Sequence, residues 1–212
     1  MSITESRTYQ IVNEVFNAIT HGLAFGLSIA GLVILIVSAH GDGALKVVSF
    51  TIYGSTLVLV FLFSTLYHSL YFTGAKHVFK ILDHSSIYLI IAGTYTPLCL
   101  VTLGGAFGWA LFGVLWGMAI LGIIYESIWI GRFKALSVAI YVVMGWMCLI
   151  NAKGFYQSLT HTGFMLLLGG GLAFTVGVIF YAMKKVPFAH VIWHTFVILG
   201  AILMFFSILY YA

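Results

Sequence analysis

The sequence predicts an all-α membrane protein: one bundle of seven transmembrane helices, with the N-terminus cytoplasmic and the C-terminus outside. Three observations carry that prediction. Of 212 residues, 62% are hydrophobic and 7% charged, where soluble domains carry about 25% charged residues. Seven apolar runs approach or exceed the roughly 20 residues that a spanning helix needs. The cationic residues gather at alternate ends of those runs, the pattern that sets orientation across a bilayer.

The runs fall at 13–38, 46–72, 81–102, 107–125, 135–152, 162–183 and 188–211. The first follows a polar lead-in, Met1 to Gln10, and is long enough to span and stay, so no cleaved leader is expected. Gly41-Asp42-Gly43 turns the chain into the second run, and Phe72 to Lys80 joins the second to the third. Within the third, Gly93-Thr94-Tyr95-Thr96-Pro97 predicts a kink, because Pro97 removes a helix hydrogen bond and the threonines can compensate. Gly104-Gly105 leads into the fourth run, Glu126 to Lys134 into the fifth, and Lys153 to His161 into the sixth. Gly169-Gly170-Gly171 in the sixth run, like the glycines of the fourth, predicts close helix approach. Lys184-Lys185-Val186-Pro187 precedes the seventh run, with Pro187 suited to a first helical position. Such short connections make sequential helices antiparallel neighbours, so residues 1–212 form a single domain.

Arg7, Lys76, Lys80, Arg132, Lys134, Lys184 and Lys185 lie on the side of the N-terminus, and only Lys46 and Lys153 on the other. Seven against two puts the N-terminus in the cytoplasm. Trp109, Tyr210 and Tyr211 then belong to the outer aromatic belt. The formal charge of +4 is scattered over helix ends and builds no nucleic-acid face. Cys99 and Cys148 both fall inside apolar runs, which speaks against a disulfide framework.

With orientation assigned, depth follows. His68 lies near the cytoplasmic end of the second helix, Asp83 in the first turn of the third, and His190 and His194 in the first turns of the seventh. At about 1.5 Å per residue, all four fall within roughly 5–10 Å of one boundary. His190 and His194 are four apart and project from one helix face. Three imidazoles leave a fourth position for water on Zn²⁺, the pattern of a catalytic site. Zinc suits three histidines without a thiolate, though the ligand set also admits iron or manganese. Asp83 either hydrogen-bonds a metal-bound water as general base or ligates directly. Ser64, one turn deeper than His68, either stabilises an oxyanion or bonds its own helix carbonyl. Glu14, Asn17, Thr20 and His21 form a second polar face on the first helix, which either extends the site or fixes that helix to the bundle. His84 points about 100° away from Asp83 and is not expected to be a ligand. His40, His77 and His161 are expected in solvated loops.

Ser64-x-x-x-His68, Asp83 and His190-x-x-x-His194 resemble the signature elements of the hemolysin III / progestin and adiponectin receptor superfamily. Glu14-x-x-Asn17-x-x-Thr20-His21, Ser64-Thr65-Leu66-Tyr67-His68 and Ala92-Gly93-Thr94-Tyr95-Thr96-Pro97 resemble its bacterial hemolysin III branch. The resemblance covers nearly the whole chain. It implies seven helices with a cytoplasmic N-terminus, a bacterial inner-membrane location, zinc on the three histidines and Asp83 reaching a zinc-bound water. It also implies relatives that hydrolyse ceramide-like amides, among them alkaline ceramidases. The gap from His68 to Asp83 is shorter than in adiponectin receptors, and adiponectin binding is not carried over.

Three functions are expected to compete. One is a zinc-dependent hydrolase of a membrane lipid amide or ester. The second is a non-catalytic, receptor-like or membrane-homeostasis protein with structural zinc. The third is a cytolysin or pore former, which polar residues gathered at one end of the helices speak against. The partner expected in each case is a membrane lipid, with a homo-oligomer also compatible.

Overall fold

A computed structural model describes residues 6–183 and 185–212; Lys184, one of the cations used above for orientation, lies outside the described residues, as do residues 1–5. It is all-helical, and no strand occurs among the described residues. Among the described residues six helical stretches are long and apolar enough to cross a membrane: Arg7–Ser38, Ala44–Ser69, Lys76–Leu103, Gly105–Trp129, Lys134–Ala182 and Ala189–Tyr211. Large apolar side chains face outward, with Leu23, Leu27 and Val37 each more than two-thirds exposed. Such a surface fits hydrocarbon and would be a liability in water.

Helix α1 (Arg7–Ser38) starts six residues before the apolar run, because Ser6 caps it by accepting a hydrogen bond from the Tyr9 amide at 3.1 Å. Gly41 (φ 96°) and Gly43 (φ 97°) provide the left-handed backbone of the turn into α2 (Ala44–Ser69). Helix α3 (Lys76–Pro97) also starts early, so Asp83 stands two turns in and exposed His77 is helical instead of in a loop. The Pro97 break is realised as a π-helical segment over Leu98–Leu103. Thr94 and Thr96 donate back to the Ile90 and Ala92 carbonyls at 2.7 and 2.9 Å, and neither reaches the Gly93 carbonyl that Pro97 leaves without its usual donor. Gly93 packs against Thr56 of α2 so closely that a Cβ would overlap its side chain. Gly93→Ala is therefore expected to cost about 1–3 kcal/mol by overpacking, read as a lowered melting temperature in detergent.

Helix α4 (Gly105–Trp129) precedes α5 (Lys134–Gly145), which tightens into a 3₁₀ turn over Met147–Asn151 before α6 (Ala152–Ala182). A straight 49-residue rod over Lys134–Ala182 would measure about 74 Å, beyond the roughly 40–45 Å of a bilayer with its headgroups. The stretch instead doubles back. Trp146 Nε1 donates to Thr175 Oγ1 at 3.0 Å, joining residues 29 apart. Residues 153–161, expected as a loop, are largely helical: Asn151 caps them through the Gly154 amide, and the helix breaks only at Thr160 (φ 63°, ψ 173°). His161, just past that break, is exposed, as is His40 in its turn. Tyr95 ties the 3₁₀ link after α5 to α3: its hydroxyl donates to the Gly145 carbonyl (2.7 Å) and accepts from the Cys148 amide (2.8 Å). Cys99 and Cys148 are free and buried.

Helix α7 (Ala189–Tyr211) packs closely on α6, with Gly170 against Met204 and Gly177 against Trp193 and Phe196. It begins two residues later than Pro187, which sits in the preceding turn. Phe188 takes the left-handed conformation (φ 57°), and its amide donates to the Tyr9 hydroxyl at 2.8 Å. That bond fixes the start of α7 to the start of α1.

Candidate metal centre

His68 comes from the last turn of α2, and His190 and His194 from the first turns of α7. One ring nitrogen from each lies within 4.8 Å of the others, a set able to hold a metal ion. His68 and His194 are buried, and His190 is half-buried. Their rings pack with centroids 4.7–5.1 Å apart.

Helix α1 decides which nitrogens face inward. His68 Nδ1 lies 2.6 Å from Glu14 Oε2. A carboxylate behind Nδ1 accepts from an Nδ1–H, the tautomer that leaves the Nε2 lone pair for a ligand. That Nε2 is buried and without a hydrogen-bond partner among the described residues. Glu14 is itself steadied by Asn13, whose amide donates to Oε1 at 3.3 Å. Thr20 treats His194 similarly. Its hydroxyl shares its one proton between the Phe16 and Asn17 carbonyls, so towards His194 Nδ1, 3.4 Å away, it can only accept, which suits an Nδ1–H and leaves Nε2 for a ligand. A carboxylate or hydroxyl behind a ligating imidazole fixes its tautomer and ring orientation. Three imidazoles, two of them so held, fit Zn²⁺.

His21 joins the cluster without joining the triad. Its ring stacks on His194 with centroids 3.5 Å apart and planes 12° from parallel. Rings so parallel aim their lone pairs side by side and not at one ion. Of the second polar face, Glu14 and Thr20 thus touch site histidines, His21 stacks on one, and Asn17 is buried with both amide atoms unpartnered among the described residues. Asp83 lies outside the set of ligand atoms; its carboxylate is near enough to His21, His68 and His190 to act on them electrostatically. It also lies 3.4 Å from His84 Nδ1, which faces the Lys80 carbonyl at 3.0 Å; His84 is not one of the three clustered histidines. Ser64 is buried one turn from His68, with no side-chain hydrogen bond among the described residues.

The profile of the family described as "Haemolysin-III related" matches residues 9–205. The chain belongs to that family. It is 48% identical to Hemolysin-3 of Bacillus cereus over 205 residues, covering 96% of this chain and 94% of the relative. The Hemolysin-3 homolog of Bacillus subtilis (strain 168) is 47% identical, with 96% of each chain covered. The human monocyte to macrophage differentiation factor is a distant relative, 28% identical over 91% of this chain and 81% of its own. No solved structure matches the chain.

Within this haemolysin-III chain, two features escaped the sequence reading. The Glu14–His68 bond was open only as one of two roles for the first helix. Its signal was the seven-residue spacing of Glu14 and His21, which keeps a carboxylate and an imidazole on one face over two turns. Glu126 on α4 is also buried, and accepts a hydrogen bond from Ser137 of α5. Its place at the ragged end of an apolar run hid it among loop residues.

Proposed function

We propose that this chain is a seven-pass zinc protein of the bacterial cytoplasmic membrane, N-terminus inside, that hydrolyses an amide or ester bond of a membrane lipid near the cytoplasmic face. The observation that carries the reading is the triad His68, His190 and His194 with Glu14 bonded behind His68. The fold-back held by Trp146 and Thr175 turns at Thr160, which supports counting residues 134–159 and 161–182 as separate passes. Zinc bound there would lower the pKa of its water to about 7 and polarise a carbonyl. Asp83 takes the proton from the attacking water and returns it to the leaving amine or alcohol. Ser64 donates to the oxygen that becomes negative. Glu14 keeps the His68 ring turned inward. A cavity lined by Ile91, Thr94, Trp146, Phe174, Trp193 and Val197 includes the residue next to His194 in sequence and takes one hydrocarbon chain of the lipid.

The test is release of fatty acid, by mass spectrometry, from N-acyl and O-acyl lipids mixed with the purified zinc-loaded chain. Turnover is expected in the wild type and absent in His68→Ala. Asp83→Asn is expected to slow it about 10²–10⁴-fold, as for loss of a general base, with zinc retained. A zinc-loaded wild type that cleaves neither lipid class sinks the reading. X-ray absorption separates it from structural zinc: three nitrogens plus water fits hydrolysis, three nitrogens plus carboxylate fits a closed site.

The name of the Bacillus cereus relative, Hemolysin-3, favours a second reading as a cytolysin. Ion flux through the reconstituted chain, abolished by substitutions along one path, would establish it.

A further inference from the structure

Asn17 and His21 are not used by the mechanism above. Asn17 is 0% and His21 3% exposed, and neither amide atom of the one nor ring nitrogen of the other has a hydrogen-bond partner among the described residues. The two are four apart on the buried stripe of α1 that runs from Glu14 through Ala24 to Leu35. Unmet donors and acceptors are costly where hydrocarbon replaces water. Four such atoms on one helical turn mark a place shaped for a polar ligand group.

Where those polar residues stop, a groove of about 270 Å³ opens between α1, α2 and α7. Small side chains give it width: Ala24, Ser28 and Gly31 on α1, and Ala201 on α7. Phe61 walls it and lies edge-on to His21, centroids 5.2 Å apart, so one side chain separates the end of the groove from His21, with Asn17 a turn beyond. The lip is open, with Leu27 69% and Ile202 44% exposed. From Ala24 to Ile34 the groove follows α1 for about 15 Å, at 1.5 Å per residue. Water does not fill an apolar groove of this kind, and a bare hydrocarbon leaves Asn17 unmet. A lipid acyl chain ending in a carbonyl linkage satisfies both, and the bilayer around the open lip supplies it.

We propose that the α1–α2–α7 groove seats one acyl chain of a membrane lipid, and that Asn17 and His21 hold that lipid's carbonyl linkage beside the triad. The proposal builds on the lipid-hydrolase reading and gives it a side of approach. The Asn17 carboxamide offers a donor and an acceptor, so an amide linkage meets both and an ester meets only the donor. The His21–His194 stack puts the held carbonyl next to a triad ring.

The test uses the full chain in phospholipid nanodiscs, stripped of metal by chelator so that no turnover occurs. The probes are an N-acyl amide lipid and its ester counterpart, each with a photoreactive diazirine in mid-chain. Peptide mapping after irradiation is expected to place adducts on residues 24–34 and 198–206. They should exceed those at the exposed control positions Leu121 and Leu172 by about tenfold, which corresponds to about 1.4 kcal/mol. Ala201→Phe fills the groove, and Ala30→Trp blocks its exposed lip without disturbing the interior. Both should cut groove labelling about tenfold. Asn17→Leu should weaken labelling by the amide probe more than by the ester. Labelling spread evenly over all faces, or unchanged in Ala30→Trp, overturns the proposal. Groove labelling without turnover of the zinc-loaded chain retains the groove and sinks the hydrolase reading. Turnover with even labelling does the reverse.

Discussion

Replacing His194 by alanine is expected to abolish stoichiometric zinc binding and, with it, the stabilisation that zinc confers. Apparent zinc-binding energies of about 10–16 kcal/mol, shared over three ligands, give roughly 3–5 kcal/mol each. Losing one ligand therefore weakens binding about 10²–10⁴-fold. Elemental analysis after dialysis should read one zinc per wild-type chain and none for His194→Ala. At free zinc a hundred times its dissociation constant, binding adds about 2.7 kcal/mol to stability. For a chain of this size that is roughly 5–10 °C in melting temperature. The wild type should show that shift on chelation, and His194→Ala should not. His84→Ala is the control: His84 faces the Lys80 carbonyl and stands outside the triad, so its zinc content should be unchanged. Zinc retained in His194→Ala, or lost in His84→Ala, contradicts the assignment.

Much of this site was legible because a membrane restricts what the residues in it can do. Histidines 122 positions apart in sequence, His68 and His190, could be brought to one layer by counting apolar runs and cations, with no knowledge of packing. The same rule predicted that Cys99 and Cys148 stay unpaired, and the Pro97 break appeared where the missing amide required it. Helix ends were less legible. Ser6, Asn151 and Tyr9 move the boundaries of α1, α6 and α7 through hydrogen bonds that hydropathy does not register. Rotation about a helix axis was the least legible of all. Whether Glu14, Asn17 and His21 face the histidines or a neighbouring helix depends on how α1 is turned. That turn is set by contacts such as Gly31 on Phe205 and Leu32 on Gly54, which involve residues far apart in sequence.

Glu14→Gln is expected to lower zinc affinity about 10–100-fold, the usual consequence of losing a partner behind a ligating histidine, while the chain stays folded. Glutamine has nearly the size of glutamate, and its carbonyl can still accept the His68 Nδ1–H. What it lacks is charge. Hydrogen bonds to an ionised acceptor are roughly twice as strong as neutral ones, and the carboxylate raises the basicity of His68 towards a metal. Glu14→Leu goes further by leaving Nδ1–H unmet in the interior, at about 1–3 kcal/mol, so it should lower both zinc affinity and metal-free stability. Packing alone predicts a different pair of results. If Glu14 only fastens α1 to α2, Gln preserves that bond and zinc affinity stays at the wild-type value, with any loss confined to the metal-free melting temperature. Competition against a calibrated chelator gives the affinity, and melting with and without metal gives the stability. A fall in affinity without a matching fall in metal-free stability assigns Glu14 to the metal centre, and the reverse assigns it to the scaffold.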